Sequence, residues 1–145
     1  MVTSPLPSIR RWLLAVLAFE LVGTLVELLL LQHFEGTLQW IPLVLIVLTL
    51  LLIGWHVLRP QAANLRALQA AMGVLALAGM VGVGLHLQGA AEFQLEMDPS
   101  QPRWDVFKKA LHAQTPPALA PGVMLQMGLL GLIYAYRYSP MESDQ

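Results

Sequence analysis

The chain has 145 residues, 57% of them hydrophobic and 12% charged, with a formal net charge of −1 and no cysteine. Soluble domains carry about 25% charged residues, and a small globule leaves too much surface exposed to hide this much leucine and valine. The near-neutral balance argues against a basic field for nucleic acid, and the missing cysteine excludes disulfides, thiolate metal sites and cysteine nucleophiles.

The charges cluster between long apolar runs, the pattern of a chain that crosses a bilayer, and the mean hydropathy is +0.63. Arg10 and Arg11 precede the first run, as in a signal peptide. That run reaches Leu31 with no small-residue cleavage site after it, so it is expected to stay as a span. Four spans follow from the hydropathy: residues 12–31, 41–58, 65–87 and 122–138, each near the roughly 20 residues that cross the hydrocarbon core. Backbone groups in lipid must pair internally, so the spans are helices. The predicted fold is an all-α, four-helix transmembrane bundle forming one integral domain over residues 1–145.

Arg10, Arg11, Arg59, Arg66 and Arg137 fall on one side of such a bundle, and Arg103, Lys108 and Lys109 on the other. The positive-inside rule then makes both termini cytoplasmic, in a plasma (inner) membrane. Trp12, Trp40, Trp55, Tyr134 and Tyr138 lie near span ends, where interfacial aromatics belong. In the long outer connection, Gln88–Pro121, Pro102 opens a short amphipathic helix through Ala113, stopped before Pro116 and Pro117. Its face of Trp104, Phe107 and Leu111 suits either the membrane surface or the outer end of the bundle. Pro121 starts the fourth span as an N1 proline.

Glu20 and Glu27 are the residues most costly to insert. Both lie in span one, seven residues and about 10 Å apart on one helical face, with Gly23 and Thr24 between them. A charged side chain at mid-helix costs about 2.5–3.5 kcal/mol on insertion scales, so they are expected to turn inward. They mark either a proton or cation path or hydrogen-bonding pins to a neighbouring helix. Beyond them, His33 and Glu35 follow in the outer turn, and His86 ends span three with Glu92 after it.

Glu27, His33, His86 and Glu92 form the expected metal set, since imidazole plus carboxylate suits a divalent transition metal. The spacing matches no established signature, and single histidines at helix ends are often interfacial or capping groups. Haem between His33 and His86 ranks below a simple ion, because no haem-pocket pattern accompanies them. His56 is expected at the inner interface, and Gln126 opposite a carboxylate across the bundle. Gly79 and Gly82 in span three, and Gly128 and Gly131 in span four, give faces for close helix packing. The seven methionines read as core filling.

Three functions compete. The leading expectation is a small, homo-oligomeric polytopic protein whose Glu/His cluster binds a metal cation or relays protons. The second is an accessory or scaffold subunit of a larger membrane complex, with the acids as interhelical pins. The third is a metal-dependent enzyme acting on a lipid or quinone, and the lack of any catalytic motif weighs against it. Partners are membrane lipids and other membrane chains, not nucleic acid.

Overall fold

The computed structural model describes residues 6–112 and 119–136. Expectations that rest on Ala113, Pro116, Pro117, Arg137 and Tyr138 lie outside those residues. In chain order the elements are α1 (Leu6–Leu30), a 3-10 turn (Thr37–Gln39), α2 (Trp40–Leu58), α3 (Ala62–Met97), α4 (Arg103–His112) and α5 (Leu119–Ala135). Three segments, Ser8–Leu30, Thr37–Leu58 and Ala62–Met97, are long and apolar enough to cross a membrane. The fourth bundle helix is a shorter apolar one, about 26 Å long over its 17 residues.

Each helix buries one stripe. On α1 it is Leu14, Leu17, Leu21, Thr24 and Leu28, spaced alternately by three and four residues. On α3 it is Leu65, Leu68, Met72, Leu75 and Gly79 with the same alternation. That is the repeat of antiparallel helices packed side by side. Buried Met72, Met124 and Met127 fill the core.

The closest pairing is α3 against α5, and glycines allow it. A Cβ on Gly79 would lie 2.6 Å from the Pro121 carbonyl oxygen and press on Leu125 N. A Cβ on Gly82 would lie 2.9 Å from Pro121 Cβ, and one on Gly128 would lie 2.6 Å from both Ala76 N and Met72 O. At Gly131 it would strike the Met72 thioether. In lipid, where hydrophobicity does not drive association, such backbone proximity is the main source of helix cohesion.

The ends of the elements differ from the hydropathy reading for local reasons. Hydropathy falls after Leu87, yet α3 continues ten residues to Met97. Gln88–Met97 contains no proline and a single glycine, Gly89, which a helix interior tolerates, and the helix stops only before Asp98 and Pro99. The described residues of the connection between α3 and α5 are therefore mostly helical. Pro121 is the third residue of α5 and not the first, still within the turn where its missing N–H costs nothing. Pro60 ends α2, with Arg59 outside the helical region before it at φ −139° and ψ 86°. Asn64 Nδ2 donates to Arg59 O at 2.7 Å and braces that turn.

At the opposite end, α1 closes with Gln32 left-handed at φ 51°. His33 N bonds Leu28 O at 2.9 Å and Gln32 N bonds Leu29 O at 3.1 Å, the paired bonds of a Schellman cap. This cap sets where His33 emerges. Trp12, Trp40 and Trp55 are exposed, whereas Tyr134, expected at the interface, is buried.

Candidate functional site

The acids of α1 do not both turn inward. Glu20 and Glu27 each precede a seam residue, Leu21 and Leu28, and so sit about 100° around the helix from the buried stripe. Glu27 is exposed, one turn from the end of α1. Glu20 is half-buried near the middle of the Ser8–Leu30 segment. Its Oε2 is shut away from solvent and has no hydrogen-bond partner among the described residues. Gln126, expected to face a carboxylate across the bundle, is exposed. The expectation of two acids sharing one interior therefore fails for Glu27. The buried stripe of α1 is four leucines and Thr24, and the two carboxylates flank it.

At the same end as Glu27, two imidazoles meet. His33, leaving the Schellman cap, and His86, on the α3 face that continues Gly79 and Gly82, have ring centroids 6.3 Å apart and planes tilted by 31°. Both are partly buried. Glu92 lies on the exposed side of α3 and accepts from Gln88 Nε2 at 2.8 Å. Among the described residues, no three histidine or acidic side chains come together as a metal-holding group. Of the four expected ligands, only His33 and His86 are brought face to face.

The opposite end holds a polar collar that hydropathy does not announce. Arg10 of α1 donates from its guanidinium to Tyr134 O at 3.2 Å and to Tyr136 O at 2.9 Å. Gln69 of α3 donates to Ala135 O at 3.3 Å. His56 of α2 shares a 2.9 Å hydrogen bond, Nε2 to hydroxyl, with Tyr134. Side chains from α1, α2 and α3 thus hold the final turn of α5, where helix carbonyls lack intrahelical donors and the dipole favours a cation.

His56 is only 2% exposed, so it belongs to the core and not to the interface expected for it. The signal was its spacing. His56 follows Leu43, Ile46 and Ile53 on the buried stripe of α2, and Arg10 lies four residues before Leu14 on that of α1.

Outside the apolar part of the bundle, α4 packs on α3 through Val106 and Ala110. Trp104 and Phe107 stay exposed and stack on each other at 5.6 Å. Asp98 accepts from Ser100 N at 3.0 Å and from Ser100 Oγ at 2.6 Å. Those bonds hold its carboxyl below the usual aspartate range. The turn they form contributes above that range and weakens as pH falls through the lowered value. Lys108, 2.8 Å away, likewise holds Asp105 low.

A shallow apolar groove of about 480 Å³ separates α1 from α2 on the outer surface, lined by Leu25, Leu29, Trp40, Leu43, Val47 and Leu51 among others. Its lining is almost wholly hydrocarbon, as befits a surface facing acyl chains. Comparison with protein-family models, with curated proteins and with solved structures finds no match.

Proposed function

We propose that this chain is a subunit: a small membrane bundle whose work is to pack against another membrane chain, not to run chemistry within a single protomer. The observation that carries this reading is Glu20. A carboxyl group at the middle of an apolar helix, half-exposed and with its enclosed oxygen unpaired among the described residues, is costly in lipid, and its exposed part is relieved by a polar group from outside. Acyl chains offer none. A neighbouring protein does, and interhelical hydrogen bonds of this kind are worth about 0.6 to 2 kcal/mol.

The orientation follows from charge. The collar end, with Arg10, Arg11, Arg59 and Arg66, faces the cytoplasm of a plasma (inner) membrane, and the His33–His86 end faces outward. Mass measurement on protein extracted with its surrounding lipid tests the reading. The expected species is heavier than one chain, and Glu20→Leu shifts it toward the single chain. A wild-type protein that is uniformly one chain overturns it.

A second reading rests on the histidine pair: an outward-facing half-site for a divalent transition metal. Two imidazoles that share one tetrahedral ion at about 2 Å hold their centroids roughly 5 Å apart, so the pair, at 6.3 Å, takes an ion by closing about 1 Å, with water or a partner chain supplying the remaining ligands. Zinc titration is expected to bind wild-type protein and to lose at least tenfold in affinity in His86→Ala. Equal binding by both proteins removes the pair from consideration.

A further inference from the structure

The flank of α1 that carries Glu20 has a definite neighbourhood. Leu25 and Leu29, on the other flank of the buried stripe, line the groove shared with α2. Glu20 therefore lies away from α2, on the side of α1's other partner, α5. The Arg10 bonds to Tyr134 O and Tyr136 O fix the antiparallel register of α1 and α5. Ten residues along α1 from Arg10 is Glu20, and nine residues back from Ala135 is Gln126. At 1.5 Å per residue these displacements are about 15 and about 14 Å. Both polar side chains consequently sit at one depth of the bilayer. Gln126 is exposed and Glu20 half-exposed. One turn along α1 from Glu20, Gly23 is exposed too, with nothing within 4 Å of the position a Cβ would take.

Equal depth matters because of symmetry. Two copies in one membrane share an orientation, so a closed pair has its two-fold axis along the membrane normal, and every residue meets groups at its own level. A carboxyl group and a primary amide at the same level form a self-complementary set: each copy offers both halves. The amide donates and accepts, so it can satisfy the carboxyl whether or not that group carries a proton. Gly23 beside them removes the side chain that would hold another helix at a distance.

We propose that a second copy of this chain docks on the α1 face formed by Glu20 and Gly23, with Glu20 of each copy hydrogen-bonded to Gln126 of the other. This rests on the subunit reading and names the partner.

Because the chain has no cysteine, one substitution gives one thiol per copy. Gly23→Cys and, one turn to the other side of Glu20, Val16→Cys are made in the full chain. Leu77→Cys, exposed on α3, serves as the collision control. Mild oxidation in lipid nanodiscs and in native membranes is expected to give disulfide-linked pairs at position 23 or 16 and at least tenfold fewer at 77. Adding Glu20→Leu with Gln126→Leu removes both symmetric bonds and is expected to raise the dissociation constant of the pair roughly eightfold to several-hundredfold.

Cross-linking as strong at 77 as on α1 overturns the proposal. So does a pair unaffected by the double leucine variant. No cross-link in a particle that contains other chains overturns the second copy as partner but leaves the subunit reading standing. No cross-link in a particle of one chain overturns both.

Discussion

A single methyl group at Gly128 is expected to destabilise the bundle by about 1–3 kcal/mol, toward the upper end of what overpacking costs. The added Cβ would lie 2.6 Å from Ala76 N and Met72 O, both backbone atoms of α3, which cannot yield as the tip of a side chain can. Relief requires α3 and α5 to move apart along the closest contact in the protein. Gly84→Ala is the matched control. Gly84 lies in α3, the other helix of that contact, but nothing is within 4 Å of its Cβ position. There the change is expected to be neutral, or to stabilise by up to about 1 kcal/mol, because alanine is the better helix former. Thermal unfolding in one detergent compares the two. Equal melting temperatures would mean that the glycines do not set the α3–α5 distance.

Arg10→Ala carries the second large effect. It removes two hydrogen bonds from a cationic donor to the last carbonyls of α5. Bonds to charged groups contribute about 1.5–3 kcal/mol, and the guanidinium also complements the negative end of the helix dipole. A loss of about 2 kcal/mol is expected, with faster hydrogen exchange over the last turn of α5. Arg10→Lys should recover only part of it, since an ammonium offers its donors from one nitrogen where the guanidinium reaches the two carbonyls from two. Arg11→Ala, one residue along and exposed, should stay within about 0.5 kcal/mol of wild type. If Arg10 and Arg11 behaved alike, the collar would have no structural weight.

The architecture was legible because it rests on the two strongest signals a sequence carries, apolar length and Pro placement. Four helices and a short amphipathic helix before the last of them follow from these signals. The end of α3 did not, since a fall in hydropathy marks the edge of a membrane and not the end of a helix; only Pro99 ends this one.

The candidate site was legible in its residues and not in their directions. That Glu20 and Glu27 share a face is a matter of counting. Whether that face is the buried one depends on which leucines the neighbouring helices choose, and they chose Leu21 and Leu28. His33 and His86 lie 53 positions apart, and only the Schellman cap at Gln32 brings their rings together. His56 looked interfacial because Trp55 and Arg59 are close in sequence, but the α-helical spacing that buries Ile53 buries it as well.

The account as a whole requires that the α1–α2 turn and the α3–α4 turn lie on one side of the membrane and the α2–α3 turn on the other. Thr37, Ser100 and Gln61 are exposed representatives of the three, and the absence of native cysteine makes each accessible to a single-thiol probe. With a membrane-impermeant maleimide on intact cells, Thr37→Cys and Ser100→Cys are expected to label, and Gln61→Cys only after the membrane is opened. Labelling of Gln61→Cys together with Ser100→Cys in intact cells would mean that α3 does not cross, and the four-helix transmembrane bundle would be wrong.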